Sequence, residues 1–237
     1  MDHKIINFFI ANCPRSGSTL LAKILDNHSN IAIPDETGLY FKFFGITKIF
    51  RIPYKTKYYY QIYQDSVDQE KMLNYHIDKI KKSQELFSYF SEYYRKQRDK
   101  EIIGEKTPNN WYYLTKILNS NYKPKAIYLI RNPYSAINSY KKYQQPWFPF
   151  RTAPDHFFLK TTLPLIAWKH AYNKYKKASK KYSNQLKLVY YETLVSKQEE
   201  TIKEICDFLN VSYQDNMKYY YLNPDVKETK GRSKAPK

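Results

Sequence analysis

A short apolar run, followed at once by a glycine-containing turn and an amphipathic stretch, constrains the fold of this chain more than any other feature. Residues 4–12 are apolar and rich in β-prone side chains, which is typical of a buried strand. Residues 17–27 carry aliphatic side chains at helical spacing, so a helix is predicted directly after the turn. A strand, a tight turn and a helix in this order are the first unit of a parallel α/β sheet.

The rest of the chain repeats this alternation. Further strands are predicted at 31–33, 101–104, 125–130 and 186–190, and helices at 109–118, 132–143, 161–182 and 197–210. Strands that alternate with helices predict a single domain over 1–237, with a central parallel sheet of four or five strands flanked by helices.

Three segments depart from this alternation. Residues 40–100 are rich in Tyr, Lys and Gln and are predicted to form a helical insertion. Residues 143–160 contain several prolines and aromatic residues, which is typical of a substrate lid rather than a regular element. Residues 225–237 are predicted to form a basic tail, although Arg232 and Lys234 are also candidates for closing a ligand site.

Charge and cysteine content limit the classes of partner. The 237 residues have a formal net charge of +18, which favours nucleic acid, anionic lipid, acidic glycans or a phosphorylated cofactor. An AT-rich genome is an alternative cause, because Lys, Tyr, Asn and Ile are enriched together. Cys13 and Cys206 are too few for a disulfide framework or zinc site. The first apolar run is too short to span a membrane, and a cytoplasmic location is expected.

The turn at Pro14–Leu20 has the composition of an anion site. Free amides and the dipole of a helix N-terminus attract anions, and Gly17 allows a ligand to approach the backbone closely. Ser16, Ser18 and Thr19 are expected to add contacts, and Arg15 adds a fork of N–H donors. The Walker A spacing, with its lysine and magnesium-binding hydroxyl, is absent. The alternative is an ordinary helix start capped by Ser or Thr.

A second anion site is predicted where the strand at 125–130 ends. Arg131 follows this strand and opens the next helix, as expected for a ligand bound at the carboxyl edge of a parallel sheet. Ser139 lies two turns along that helix and is expected to help Arg131 bind one phosphate. The alternative is an arginine that caps a neighbouring helix or pairs with a carboxylate.

The run FFIANCPRSGSTLLAKILDNHSNI at 8–31 resembles the 5′-phosphosulfate loop of the PAPS-dependent sulfotransferase superfamily, where PAPS is 3′-phosphoadenosine 5′-phosphosulfate. The resemblance implies a P-loop NTPase-like fold and transfer of a sulfo group from PAPS to a hydroxyl acceptor, without a metal. By the same resemblance, Arg131 and Ser139 form the 3′-phosphate motif.

The resemblance also implies roles for further residues. Glu36 corresponds to the general base, with Asp35 as the second candidate, and Lys106 corresponds to the lysine that stabilises the leaving group. Tyr191, in the segment YETLV, corresponds to a tyrosine near the adenosine. For each residue a structural role is the alternative: an exposed acidic pair, a solvated lysine and a core tyrosine. No histidine is expected to be catalytic, and His156 is the least implausible of the five.

The acceptor is less well specified than the donor. Aromatic side chains in the insertion and lid are suited to stacking on sugars or phenols, and the positive charge favours acidic acceptors. A glycan or glycolipid hydroxyl is the first expectation and a small phenolic metabolite the second. The rival functions are a P-loop kinase-like enzyme and a basic nucleic-acid-binding protein. No nucleic-acid recognition motif is present, so no specific nucleic acid is expected.

Overall fold

The computed structural model describes residues 7–13, 15–34, 95–96, 98–108, 110–120, 122–141 and 161–222. Most of the predicted insertion at 40–100 therefore lies outside the described residues, as do the predicted lid at 143–160 and the predicted tail at 225–237.

The described residues form strands and helices in alternation. The strands are β1 (Phe8–Asn12), β2 (Ile31–Ala32), β3 (Ile102–Lys106), β4 (Lys125–Ile130) and β5 (Leu186–Tyr190). The α-helices are α1 (Ser18–Asp26), α2 (Asn110–Leu118), α3 (Pro133–Lys141), α4 (Leu163–Lys181), α5 (Tyr191–Ser196) and α6 (Gln198–Leu209), and a 3₁₀ helix spans Asp215–Leu222.

The strands form one parallel sheet in the order β2-β3-β1-β4-β5. The predicted fold class, a central parallel sheet with flanking helices, is confirmed. β1 lies between β3 and β4, with Ile10 opposite Lys106 and Asn12 opposite Leu129. The chain thus leaves β1 and the two neighbouring strands at one edge, where the strand order reverses and ligands of such sheets bind.

Both faces of the sheet are covered, as the alternation of side chains in β4 shows. Tyr128 and Ile130 point into a core shared with α2 and α4, whereas Ile127 and Leu129 point into a core shared with α1 and α6. Continuous apolar strands are required when both faces are buried. The hydroxyl of Tyr128, fully buried, donates to the Ala171 carbonyl oxygen of α4 at 2.8 Å.

Two elements were not expected from the sequence. Helix α5 starts at the residue after β5, and its six residues are too few to show a helical period. The 3₁₀ helix packs on the end of α1: Asn216 Nδ2 donates to the Asn27 carbonyl oxygen at 2.9 Å, and Met217 is fully buried. No helix in the described part of the chain is both long and apolar enough to cross a bilayer.

Candidate active site

The turn between β1 and α1 leaves backbone amides available at the sheet edge. Arg15 and Gly17 both have left-handed backbone conformations, with φ of 69° and 90°. Gly17 is the N-cap residue of α1, and no described side chain accepts a hydrogen bond from the first amides of the helix. The first turn of α1 contains no acidic residue. The first amides of a helix have no intrahelical partners. The Ser16 amide already donates to the Cys13 carbonyl oxygen at 3.2 Å, so the N–H donors that an anion could meet at this turn are those at the start of α1.

Tyr191 covers this turn. A Cβ atom at position 17 would overlap with the Tyr191 ring, so only glycine allows this packing. The guanidinium of Arg131 also lies on the Tyr191 ring, with its Cζ atom 4.2 Å from the ring centroid. The tyrosine expected near the adenosine thus contacts both predicted anion sites.

The two predicted anion sites lie side by side. Arg131 Nη1 donates to the Arg15 carbonyl oxygen at 3.4 Å, and Arg15 Nε donates to Ser139 Oγ at 3.2 Å. Ser139 was predicted to assist Arg131, whereas in the structure it contacts Arg15. The second turn of α3 therefore reaches the first anion site.

The junction between β4 and α3 is held by side chains that the sequence analysis did not single out. Asn132 Oδ1 accepts the amides of Tyr134 and Ser135 at 3.0 and 3.4 Å and so caps α3. The Asn132 amide donates to Glu192 Oε1 at 2.9 Å. Trp168 Nε1 donates to the Arg131 carbonyl oxygen at 3.0 Å. An asparagine before a proline is a known N-cap signal, but the other two contacts come from distant parts of the chain.

Among the described residues, three buried side-chain atoms at the end of β1 and just after β1 and β4 have no hydrogen-bond partner: the acceptor Asn12 Oδ1 and the two donors Ser16 Oγ and Arg131 Nε. Leaving a buried donor unpaired costs about 1–3 kcal/mol, so such groups call for an explanation. Both donors can serve an anionic ligand. Together with the amides at the start of α1, they fit a ligand that carries phosphate groups.

Lys106 ends β3 at the same edge and is buried, with 5% of its surface exposed. The turn that follows is held by the buried Glu105, whose carboxylate accepts from Thr107 Oγ1 at 2.6 Å and from Asn110 Nδ2. Asn110 Nδ2 also contacts the Ile10 carbonyl oxygen of β1 at 3.2 Å. Lys106 is therefore held next to β1 by this hydrogen-bonded turn, and the Glu105 carboxylate is used in the hydrogen bonds of the turn.

The remaining candidates divide between structural residues and residues outside the described ranges. Cys13 lies directly before the turn, and burial raises the pKa of its thiol to about 12, so it is not a nucleophile. His28 is buried, with Nδ1 accepting the Asn30 amide at 3.0 Å and Nε2 donating to the Ser212 carbonyl oxygen at 2.9 Å. Asp35, Glu36 and His156 lie outside the described residues.

Comparisons with known proteins agree with this geometry. A model described as Sulfotransferase family matches residues 7–215. The sulfotransferase domain of the Synechococcus PCC 7002 olefin synthase superposes with a TM-score of 0.67 at 21% identity, covering 97% of this chain and 83% of that chain. The sulfotransferase domain from the curacin biosynthetic pathway gives 0.61 at 20% identity, covering 92% and 78%.

A third solved structure, mouse sulfotransferase SULT7A1 complexed with PAP, gives a TM-score of 0.54 at 15% identity, covering 98% of this chain and 67% of that chain. No curated protein sequence matches the chain. At these identities the solved structures show the fold, whereas the family match covers most of the chain. The chain therefore belongs to the sulfotransferase family, whose members transfer sulfo groups, and the resemblance noted in its first turn is confirmed.

Proposed function

We propose that this protein transfers the sulfo group of PAPS to a hydroxyl acceptor and releases adenosine 3′,5′-bisphosphate (PAP). The observation that carries the proposal is the contact between Arg15 and Arg131, which joins two anion sites at neighbouring strand ends. A nucleotide with a phosphate group at each end of its ribose needs two such sites within a few ångströms.

Each site has its own part of the donor in this proposal. The amides and hydroxyls of 15–19 hold the 5′-phosphosulfate, and Arg131 with Ser139 holds the 3′-phosphate. Tyr191, on which Arg131 lies, is placed next to the adenosine. Support comes from the unpaired Ser16 Oγ and Arg131 Nε atoms, and from the PAP complex of the mouse enzyme with the same fold.

The donor supplies an activated sulfo group. The residues of this chain remove the acceptor proton and stabilise the negative charge of the leaving group. Glu36 takes the acceptor proton as the acceptor oxygen attacks sulfur. Arg15 and Lys106 stabilise the negative charge that develops on the 5′-phosphate as its bond to sulfur breaks. Lys106 is suited to this role because it is buried, and a buried cation interacts strongly with a developing charge.

The acceptor is proposed to be a glycan or glycolipid hydroxyl, with a small phenolic metabolite as the second choice. The net charge of +18 supports acceptors that carry negative groups. The insertion at 40–100 and the lid at 143–160 are proposed to supply its binding surface within one domain. We propose a cytoplasmic location, because both cysteines are unpaired and buried.

Calorimetry with PAP, followed by a sulfate-transfer assay over acceptors, tests this function. We expect PAP to bind without magnesium and more tightly than ATP with magnesium; the reverse order would favour the kinase-like alternative. Glu36→Gln is expected to bind PAP normally and to lose at least about a hundredfold in turnover. Unchanged turnover would contradict its assignment as the base, and Asp35→Asn is the next variant to measure.

A further inference from the structure

Acidic residues are nearly absent from one long stretch of this chain. Between Glu105 and Glu192 the sequence contains 16 Lys and Arg residues and a single acidic residue, Asp155. The overall content of 22 acidic residues in 237 would place about eight there. A codon bias that enriches lysine does not remove acidic residues from one stretch, so a positive surface is indicated.

The structure shows that the lysines of the two helical layers differ in their surroundings. On the α6 side several lysines form ion pairs: Lys203 and Lys218 both pair with Glu199, at 2.8 and 2.6 Å, and Lys187 pairs with Glu204 at 3.0 Å. Helices α2 and α4 contain no acidic residue. Five exposed lysines of α4 form no ion pair with any described residue, and we call them the α4 lysine face: Lys169, Lys176, Lys177, Lys180 and Lys181.

The α4 lysine face lies on a single helix. Helix α4 has 19 residues and is therefore about 28 Å long. Lys169, Lys176 and Lys180 recur at intervals that bring them back to the same side of the helix. About one turn before Lys169, Leu165 and Ile166 are 44% and 46% exposed on the same side.

This surface lies beside the candidate active site. Trp168, one residue before Lys169, donates to the carbonyl oxygen of Arg131. The exposed aliphatic residues Leu165 and Ile166 are within one turn of Trp168. A partner that covers the start of α4 would therefore lie next to the sheet edge where the donor is proposed to bind.

A bilayer fits this surface better than a nucleic acid does. Proteins that read nucleic acid rely on arginine for bidentate contacts, and α2 and α4 contain none. The exposed aliphatic residues Leu165 and Ile166 have no partner on a phosphate backbone, whereas aliphatic side chains, and tyrosines such as the exposed Tyr172, enter the headgroup region of a membrane. Lysines near anionic lipids each add to the attraction.

We propose that the α4 lysine face, with Leu165 and Ile166, docks the protein on a bilayer that contains anionic phospholipid. Docking would bring the sheet edge next to a lipid surface, where a glycolipid hydroxyl would be presented. That last step rests on the proposed function, whereas docking itself does not.

The test is co-sedimentation of the full chain with vesicles of phosphatidylcholine alone and of phosphatidylcholine with one quarter phosphatidylglycerol. Binding is expected only to the anionic vesicles and is expected to weaken as salt rises. Replacing Lys169, Lys176, Lys177 and Lys180 by glutamine is expected to lower the affinity for anionic vesicles at least about a hundredfold. The same four positions changed to arginine are expected to retain binding.

The matched control removes four charges from the other layer, with Lys187, Lys197, Lys203 and Lys218 changed to glutamine. This variant is expected to stay within about fivefold of the parent. Equal losses in both variants would overturn the proposal, as would binding to neutral vesicles or tighter binding of duplex DNA through the same four lysines. PAP calorimetry on each variant reports on the donor site separately, so a failure of the proposed function is distinguishable from a failure of docking.

Discussion

The two strand–helix junctions at the sheet edge present opposite solutions to anion binding. At the β1–α1 junction the backbone is left-handed at Arg15 and Gly17, and no side chain caps the helix. At the β4–α3 junction Asn132 caps the helix with its own side chain. The first amides of α1 are available to a ligand, whereas two of the corresponding amides of α3 are already used.

The two sites differ in the groups that would bind an anion. A sulfo or phosphate group at the first junction would be bound mainly by backbone amides, for which the exact course of the chain matters. A phosphate at the second junction depends on the Arg131 side chain, which lies on the Tyr191 ring, while Trp168 holds the Arg131 backbone carbonyl. Backbone changes should therefore damage the first site, and side-chain changes the second.

The largest effect is expected from Gly17→Ala. Alanine is strained at a φ of 90°, and its Cβ would overlap with the Tyr191 ring. We expect the free energy of unfolding to fall by about 2 kcal/mol and the PAP affinity to fall more than about a hundredfold, as measured by thermal unfolding and calorimetry.

Gly104→Ala is the matched control for this change. Its Cβ would overlap with the Phe8 ring inside the sheet, away from the amides of the first junction. It should lower stability and leave the PAP affinity of the folded protein nearly unchanged. Normal PAP binding by Gly17→Ala would remove the basis for a backbone-built first site.

Arg131→Ala is expected to have the next largest effect. Loss of one preorganised charged donor costs about 3 kcal/mol, so the PAP affinity should fall about a hundredfold in calorimetry. Arg131→Lys should recover only part of this, because a lysine keeps the charge but not the planar fork. If Arg131→Lys bound PAP as well as the parent, the second site would be a simple positive charge.

Asn132→Ala is expected to change stability more than binding. Loss of an N-cap costs about 1 kcal/mol, so chemical denaturation should show that decrease in the free energy of unfolding. Because the capped amides are not assigned to the ligand, the PAP affinity should change less than about threefold. A loss of affinity as large as that of Arg131→Ala would show that both junctions bind through their amides.

The smallest effect concerns Cys13, directly before the first junction. A thiol near a helix N-terminus usually ionises easily, but burial raises the pKa of Cys13 to about 12. Iodoacetamide at pH 8 should therefore modify Cys13 only in the unfolded chain, as read by mass spectrometry. Because the ordinary pKa is 9.0, the thiol of the unfolded chain ionises first, so the free energy of unfolding falls as pH rises from 9 toward 12. Rapid labelling of the folded protein would contradict this.

The sheet was predictable because its strands are recognisable as apolar runs in the sequence. The strands at 125–130 and 186–190 have the predicted bounds, since continuous apolar runs are typical of strands buried on both faces. β3 runs on to Lys106 where 101–104 was predicted, because pairing with β1 continues through polar Glu105 and Lys106. Such pairing cannot be seen in the hydrophobic pattern of a single strand.

The candidate site was predictable in part. Arg15 and Arg131 both follow parallel strands, and parallel strands end at one edge, so their proximity follows from topology. The partner of Ser139, the N-cap at Asn132 and the bond from Trp168 were not foreseen. These contacts join residues that are far apart in sequence, and their distances depend on how α3 and α4 pack.

By itself, the sequence determined the parallel α/β sheet, the phosphate-type turn after β1 and the family. Each of these rests on local patterns, namely apolar strands, helical spacing and a run of turn residues. Only the tertiary structure decided that Tyr191 covers Gly17, that Arg15 reaches Ser139, and that Lys187 of β5 pairs with Glu204 of α6 while the α4 lysine face forms no ion pair with any described residue. The reason is that side-chain partners depend on packing distances between elements, which no local pattern records.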